Sequence, residues 1–196
     1  MAPIEFPHPL PRLADDRLRL RLPTEADVAR ITEICRDAEV QRWTRVPSPY
    51  TADDARAFVQ LASDAYRGAA GVHLLATESD GDGDGDRVLG AVGLAVDQRD
   101  LSGEIGYWVA PDARGRGVAT GACRLLLRFG LERLGVAYVA LWASADNAAS
   151  NAVARSLGFT HEGTSRDAML IGPTGDPAAG VRGDAHLWGL RPGELR

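Results

Sequence analysis

The sequence predicts an α/β fold, in which one mixed sheet carries helices on its faces. Three observations support this prediction. The segment "RLRLRL" at 17–22 alternates strictly between Arg and Leu, which is typical of a half-buried strand. Three strand-like runs follow one another between 71 and 110, which indicates an antiparallel meander. After Pro111 the apolar spacing changes to that of a helix, and a further buried strand follows.

Size and composition favour a single soluble domain. The chain has 196 residues, of which 45% are hydrophobic and 25% are charged, and a chain of this length can bury a full core. We predict one domain over 16–191, preceded by an extended or loosely docked arm at 1–15 and followed by a tail at 192–196.

The net charge of −5 argues against a nucleic acid partner. The chain has neither the apolar core of a signal peptide nor an apolar run of about 18 residues, so we predict a cytoplasmic protein without a membrane partner.

Two helices are predicted after the first strand. The segment "TEAD" at 24–27 resembles a capping box and opens a helix over 24–38. A second cap at Thr51 opens a helix over 51–67. Prolines mark the loop between them, at 43–50, and Trp43 in this loop has either a binding or a packing role.

The meander is predicted from three strands, at 71–79, 87–96 and 103–110. The segment "DGDGDGD" at 80–86 separates the first two strands. Its alternating Asp residues suggest calcium, but the spacing and the closing Glu of an EF-hand loop are absent. We therefore predict a solvated hairpin tip there.

The second half of the sequence predicts two more helices. The first runs for about five turns from Gly117 until Gly135 ends it. The apolar run at 136–142 predicts a strand that is covered on both faces. A second helix is predicted over 148–157. The remaining segments are extended structure at 159–170, a Gly/Pro-rich loop at 172–183 and a last strand at 185–190.

The cysteines and histidines do not indicate a metal site. Cys35 and Cys123 are far apart and fall on apolar helical positions, which predicts buried free thiols and a reducing compartment. His73, His161 and His186 lack the spacing of metal ligands, so we predict structural roles for them and no metal.

The segment "ARGRGVATGA" at 113–122 predicts an anion site, because it joins a strand to the N-terminus of a long helix. The first N–H groups of a helix lack intrahelical partners and lie at the positive end of its dipole. Gly115 and Gly117 let a ligand approach this backbone, and Arg114 and Arg116 can pair with phosphate oxygens. A pyrophosphate is the expected ligand. Neither the Rossmann nor the Walker A fingerprint is met.

Two motifs resemble those of the GCN5-related N-acetyltransferase (GNAT) superfamily. The segment "EIGYWVAPDARGRGVATGACRLLLRFGLERLGV" is similar to its acetyl-CoA-binding motif, whose core is met by Arg114, Gly117 and Ala119. The segment "DNAASNAVARSLGFTHEGTSRDAM" resembles the next motif, in the version of the RimJ/RimL branch of ribosomal-protein alanine N-acetyltransferases. The matching residues are Asn147, Ser150, Leu157-Gly158-Phe159 and Glu162-Gly163.

The resemblance covers about residues 16–190 and implies the GNAT fold, a mostly antiparallel sheet with a splayed parallel pair of strands and about four helices. The parallel strands would separate after Val109 and admit the pantetheine arm of acetyl-CoA. The main-chain partners implied for this arm belong to Tyr107, Val109 and Ala110. Those implied for the pyrophosphate belong to Arg114, Gly115, Arg116, Gly117, Val118, Ala119 and Thr120. Asn147 would hydrogen-bond the pantetheine, and Ser150 would lie near the thioester sulfur.

The catalytic residues are less well marked than the cofactor site. Ala154 stands where many GNAT relatives carry a tyrosine acid, and the strand 136–142 has Trp142 where many carry a glutamate base. Ser150 either donates a hydrogen bond to the sulfur or only caps and packs the helix. Tyr107 points either to the core or to the site.

A carboxylate is needed near the acceptor, because the attacking amine must lose a proton. Glu104 is the first candidate base, with a sheet-edge salt bridge as its alternative role. Glu162 is the second candidate.

The sequence therefore predicts an acetyl-CoA-dependent N-acetyltransferase. The acceptor would be a primary amine: a protein N-terminal α-amine, a polyamine or an aminoglycoside-like compound. The alternative is a non-catalytic acyl-CoA-binding sensor. A homodimer is implied only by the resemblance.

Overall fold

The computed structural model describes residues 3–78, 87–172 and 180–196. The predicted hairpin tip at 80–86 and most of the predicted loop at 172–183 lie outside the described residues. A single eight-stranded sheet organises the fold, in the order β1-β2-β3-β4-β5-β6-β8-β7. The strands are β1 Leu13–Ala14, β2 Leu18–Arg21, β3 Gly71–Glu78, β4 Val88–Asp97, β5 Ser102–Val109, β6 Tyr138–Ser144, β7 Thr160–Ile171 and β8 Val181–Leu190.

Five α-helices are present in the described part of the chain. They are α1 Val28–Cys35, α2 Ala38–Trp43, α3 Ala52–Arg67, α4 Val118–Arg128 and α5 Ala148–Leu157. Short 3-10 turns at Glu25–Asp27 and Pro111–Ala113 precede α1 and α4. The predicted mixed α/β architecture and the antiparallel meander β3-β4-β5 are confirmed.

One pair of strands in the sheet is parallel. β5 and β6 pair over only three residue pairs, Ser102 with Tyr138, Gly103 with Val139 and Glu104 with Ala140. The predicted separation after Val109 is therefore wrong, because the strands part five residues earlier. The antiparallel pairing of β5 with β4 continues without a register shift to Val109, so only the β6-facing edge of β5 opens.

The helical layer near the first strand differs from the prediction. The predicted helix 24–38 is a 3-10 turn followed by α1, and a separate helix α2 comes next. Trp43 is the last residue of α2 and not part of a loop. The Asp37 carboxylate caps α2 by accepting hydrogen bonds from the N–H groups of Glu39 and Val40, each at 3.1 Å. This cap starts a new helix immediately after α1 has ended.

Three predicted elements have different bounds or surroundings. The long helix after Gly117 changes to π-helical hydrogen bonding at Phe129–Leu134, where Gly130 packs against Leu94. The last strand begins at Val181, four residues earlier than predicted. β6 is not covered on both faces, because the Trp142 side chain is 37% exposed while Leu141 is buried. This exposed face opens into the cleft described below.

The core lies between the sheet and the helices. Helix α4 packs across β2, β4 and β5, and α3 packs on β3. The N-terminal segment is packed and not loose, since Ile4 and Phe6 are buried and the Tyr66 hydroxyl donates to the Pro7 carbonyl at 2.5 Å. No described helix has both the length and the apolar character needed to cross a membrane.

The cysteine prediction is confirmed for the thiols themselves. Cys35 and Cys123 are both free and buried. Burial raises the pKa of the Cys35 thiol to about 12, and it also raises the pKa of Cys123. Both thiols therefore stay protonated near neutral pH.

Candidate active site

A cleft of about 930 Å³ opens where β5 and β6 part. Its walls come from β5, β6 and the N-termini of α4 and α5, while α2 and the β7–β8 hairpin enclose its other side. The Gly172 N–H, at the end of β7, donates to the carbonyl of Arg42 in α2 at 3.1 Å. The hairpin and α2 therefore meet across this side of the cleft.

The open edge of β5 can bind an extended ligand. Beyond Glu104, the main-chain groups of β5 that face β6 have no strand partner. Tyr107 and Val109, two of the predicted pantetheine contacts, line the cleft along this edge. Unpaired backbone of this kind accepts an extended chain much as a sheet edge accepts a strand.

Ala110 is placed differently from Tyr107 and Val109. It is fully buried, its N–H donates to the Leu89 carbonyl at 2.8 Å, and its own carbonyl accepts from the Ala113 N–H at 2.9 Å. Both main-chain groups are engaged within the protein, so Ala110 shapes the turn and does not line the cleft.

The turn before α4 presents helix N–H groups to the cleft. Gly115 and Gly117 have φ values of 72° and 77°, in the left-handed region that favours glycine. The Gly121 N–H makes the first α4 hydrogen bond, to the Gly117 carbonyl at 2.9 Å. The N–H groups of the preceding first turn have no such partner, and the residues that carry them, Val118, Ala119 and Thr120, line the cleft.

Both arginines of this turn are engaged in ion pairs. The Arg114 guanidinium hydrogen-bonds the Asp37 carboxylate, and Arg116 Nη2 lies 3.0 Å from Glu78 Oε1. Arg114 lines the cleft together with Gly115 and Gly117. The sequence did not reveal these carboxylate partners because they are distant in the chain. Contact of either arginine with a phosphate stays a prediction.

Tyr107 and Ser150 meet across the opening between the strands. The Tyr107 hydroxyl donates to Ser150 Oγ at 2.9 Å, so Tyr107 points to the site. Burial raises the pKa of Tyr107, and the nearby Cys123 adds to this effect, so the phenol keeps its proton near neutral pH. Ser150 is held in turn by Asn147, whose Oδ1 accepts from the Ser150 N–H at 3.0 Å. Asn147 is thus the N-cap of α5 as well as a cleft residue.

The two candidate bases lie in different places. Glu104 is exposed, lines the cleft and occupies the last residue pair before β5 and β6 separate. Glu162 is outside the cleft lining, and its Oε2 accepts from the Tyr138 hydroxyl at 2.7 Å. The structure brings Glu104, but not Glu162, to the cleft.

Sequence reasoning missed part of the cleft wall. Residues of α2, of the segment after it and of the β7–β8 hairpin complete the site, and these include Glu39, Trp43, Arg45, Met169, Leu170 and Arg182. They lie far from the motifs in the chain, and only the tertiary fold brings them there. Trp43 lines the cleft, and its Nε1 donates to Glu39 Oε2 at 2.8 Å.

Sequence reasoning also missed Asn151, which is buried in α5. A signal was available, because Asn151 shares a helix face with the core residues Ala154 and Leu157. A polar residue on a core face is unusual and needs hydrogen-bond partners. One of these partners is His186, whose ring lies 4.7 Å from that of His161. No cluster of three metal-ligating side chains occurs among residues 3–78, 87–172 and 180–196.

Comparisons with known proteins agree with this geometry. YoaA of Bacillus subtilis (strain 168), an uncharacterized N-acetyltransferase, is 27% identical over 160 residues, which cover 81% of this chain and 88% of YoaA. YdaF of the same organism, provisionally named a ribosomal N-acetyltransferase, is 40% identical over 76 residues, 39% of this chain. That match spans only 42% of the length of YdaF.

A solved structure shows the same fold over the whole domain. RimL, a ribosomal L7/L12 alpha-N-protein acetyltransferase in complex with coenzyme A, superposes with a TM-score of 0.79 at 22% identity. The superposition covers 92% of this chain and 98% of that chain. Finally, residues 17–160 match the acetyltransferase (GNAT) domain family. With the splayed strands and the glycine turn before α4, this match establishes that the chain belongs to the GNAT acetyltransferase family.

Proposed function

We propose that the protein is an acetyl-CoA-dependent N-acetyltransferase that acetylates a primary amine by direct attack in a ternary complex. One observation carries the proposal: a single cleft joins the glycine turn before α4, the open edge of β5 and the Tyr107–Ser150 pair. The arrangement suits a long ligand with a diphosphate at one end and a thioester at the other. The coenzyme A complex of RimL supports the same ligand class for this chain.

The binding residues act at successive points along the cleft. The first-turn N–H groups of α4, at Val118, Ala119 and Thr120, would receive the diphosphate oxygens. The open β5 edge at Tyr107 and Val109 would pair with the amides of the pantetheine arm. The thioester would then lie at the Tyr107–Ser150 pair, beside the point where α5 begins.

The transfer needs a neutral amine and a stabilised leaving group. The amine nitrogen attacks the thioester carbonyl, the carbon–sulfur bond breaks, and coenzyme A leaves as the thiolate. The proton lost by the amine goes to a base, and the thiolate gains a proton or a hydrogen bond. Ser150 Oγ accepts from Tyr107, so its own hydroxyl hydrogen is free to point at the sulfur. The raised pKa of Tyr107 keeps this phenol a hydrogen-bond donor and not an anion.

Glu104 is the proposed base. It lines the cleft at the bottom of the opening, three residues before Tyr107 on β5. Because side chains alternate along a strand, Glu104 and Tyr107 leave opposite faces of β5. The base and the sulfur-binding hydroxyls are thus separated by the strand opening, as attack on the thioester from the acceptor side requires.

The acceptor would enter between α2 and the β7–β8 hairpin. Trp43, Trp108 and Trp142 line the cleft together with the carboxylates Glu39 and Glu104. Aromatic faces and carboxylates both attract an ammonium group. This supports a primary amine as acceptor, whether a protein N-terminal α-amine, a polyamine or an aminoglycoside-like compound.

A second candidate function is a non-catalytic acyl-CoA-binding module. One observation favours it: Ala154, at the position where many GNAT relatives carry a tyrosine acid, is fully buried in α5. No phenol can therefore reach the sulfur from this helix position.

Calorimetry and a thiol-release assay test both candidates. Coenzyme A is titrated into the purified protein, and thiol release from acetyl-CoA is followed with a peptide bearing a free α-amine, a polyamine and an aminoglycoside. We expect binding, and release with at least one amine. Binding without release on any amine would favour the binding module, and the absence of binding would refute both.

A further inference from the structure

A buried carboxamide lies in the first half of α5, directly after Ser150. Asn151 is 3% exposed. Its Nδ2 donates to the carbonyl of Ser144 at 2.9 Å and to that of Asn147 at 2.8 Å. Its Oδ1 accepts from Trp188 Nε1 at 2.9 Å. Carbonyls only accept and an indole N–H only donates, so these partners determine which way the amide faces.

His186 completes the set of partners. Its Nδ1 lies 3.1 Å from Asn151 Oδ1. Both N–H donors and both acceptor sites of the carboxamide are then used. The partners come from three elements: Ser144 ends β6, Asn147 caps α5, and Trp188 and His186 belong to β8. One side chain therefore joins α5 to two neighbouring strands.

This junction lies beyond the end of the β5–β6 ladder, where β6 is paired with β8 but not with β5. The β5–β6 ladder ends at Glu104 and Ala140, so no strand hydrogen bond holds the far end of β6 against β5. The Tyr107–Ser150 hydrogen bond nevertheless spans this opening at 2.9 Å. Its length depends on where α5 begins relative to β5. Asn151 ties that part of α5 to β6 and β8.

We propose that Asn151 is a positioning residue for acyl transfer, which holds Ser150 at hydrogen-bond distance from Tyr107 and so places both hydroxyls at the thioester sulfur. The proposal rests on the proposed function, because it assumes that the sulfur lies at this pair. Asn151 itself faces Ser144, Asn147, His186 and Trp188, and it is not among the residues that line the cleft. It acts through the main chain of α5 and not on the substrate.

The variant Asn151→Asp tests this role with little change in shape. A carboxylate has no N–H to donate, so it would face the carbonyls of Ser144 and Asn147 without hydrogen bonds. The first turn of α5 should shift, and the kcat of acetyl transfer should fall about tenfold or more, since misplacement by about 1 Å is costly in acyl transfer. The KM for acetyl-CoA and the calorimetric affinity for coenzyme A should change much less than kcat, because the diphosphate contacts on α4 and the pantetheine contacts on β5 do not involve Asn151, and only Asn147 among the predicted pantetheine contacts touches it.

A double-mutant cycle separates positioning from a general loss of structure. If Asn151 acts through Ser150, then Asn151→Asp added to Ser150→Ala should lower kcat by no more than about twofold further. Ala152→Asp is the matched control, because it places the same charge one residue along on the exposed side of α5 and should leave kcat unchanged. Independent, multiplicative losses in the cycle would overturn the proposal, and so would an unchanged kcat in Asn151→Asp.

A milder variant serves if Asn151→Asp does not fold. Trp188→Phe keeps an aromatic ring but removes the indole donor to Asn151 Oδ1, and it should lower kcat in the same direction, again without further effect in the Ser150→Ala background. An additive loss there would also contradict the proposal. Failure of the proposed function is seen separately, since unaltered protein would then show no coenzyme A binding or no thiol release.

Discussion

Residues only a few positions apart on β5 lie in different environments because strand geometry separates them. Glu104 and Tyr107 leave opposite faces of the strand. Tyr107 is half-buried and hydrogen-bonded to Ser150, and burial raises its pKa. Glu104 is exposed at the bottom of the cleft. The environment thus favours a neutral hydrogen-bond donor on one face of the strand, and it leaves a carboxylate side chain open to the cleft on the other.

Replacing the proposed base should slow the reaction in a pH-dependent way. We expect Glu104→Gln to lower kcat/KM at neutral pH by about 10²-fold, because the amide cannot accept the amine proton. The difference from the unaltered protein should narrow at high pH, where more amine is already neutral. The pH–rate profile of kcat/KM measures both effects.

Glu162→Gln is the matched control, since Glu162 lies outside the cleft and hydrogen-bonds Tyr138. It should keep the unaltered profile. If Glu162→Gln lowers kcat/KM and Glu104→Gln leaves it unchanged, Glu162 is the base and the assignment of Glu104 is wrong.

At the scale of elements, the glycine turn and the start of α4 form one unit. Gly117 holds a left-handed conformation, with φ 77°, and α4 begins at the next residue. A Cβ added at Gly117 would meet no atom within 4 Å. Glycine is needed here for its backbone angle, and the space beside it is left open towards the cleft.

This turn gives a matched pair of variants. Gly117→Ala should lower the free energy of unfolding by about 1 kcal/mol, because an L-residue is strained in the left-handed region. It should also lower the affinity for coenzyme A by about tenfold, because the methyl group stands where the ligand approaches the helix N–H groups. Thermal unfolding and calorimetry measure the two effects.

Gly135→Ala separates strain from ligand exclusion. Gly135 has φ 76° and equally open surroundings, but it lies at the far end of the helical segment. We expect the same loss of stability with unchanged affinity. Equal losses of affinity in both variants would show that the effect at Gly117 is only destabilisation.

At the scale of the whole molecule, an ion pair between the buried Asp27 and the half-buried Arg21 joins the sheet to the helical layer. Both oxygens of Asp27 accept from the Arg21 guanidinium at 2.8 Å, and the Thr24 N–H donates to the same carboxylate. Burial alone would raise the pKa of Asp27, but the hydrogen bonds from Arg21 and Thr24 outweigh it and hold the pKa below its usual value of 3.8. β2 and the start of α1 are thereby held together.

This pair should make the stability of the protein fall with pH in acid. Because the folded pKa of Asp27 is lowered, its contribution is fully present above about pH 4 and is lost as the pH falls further. We expect Asp27→Asn to lower the free energy of unfolding at pH 7 by about 2 kcal/mol and to make the loss between pH 4 and pH 2 shallower. Urea unfolding at several pH values measures this.

Asp53→Asn is the control for that experiment, because Asp53 pairs with Arg56 on the surface and is 92% exposed. Its effect should stay below about 0.5 kcal/mol at every pH. A loss as large as that of Asp27→Asn would mean that charge alone, and not burial, sets the acid stability.

The predicted cytoplasmic location and homodimer remain predictions for the whole molecule.

The sequence by itself determined the class of fold, the meander, the position of the glycine turn and the family. The first three follow from local pattern: alternation in β2, aromatic and β-branched residues in β5, and glycines directly before an amphipathic helix. The family follows from the resemblance of two motifs to those of the GNAT superfamily. The predicted ends of helices and strands were less accurate where a local side-chain hydrogen bond decides where an element begins. The Asp37 cap that starts α2 is one such contact.

Only the tertiary structure decided how the site is assembled. The β5–β6 ladder ends early, Tyr107 and Ser150 meet across 43 positions of chain, and Glu104 lies at the cleft while Glu162 lies outside it. The same holds for the carboxylates that pair with Arg114 and Arg116, and for the Asn151 junction. Periodicity reports which face of an element is buried. It does not report which distant side chain lies opposite, because that depends on how the packed elements are placed relative to one another.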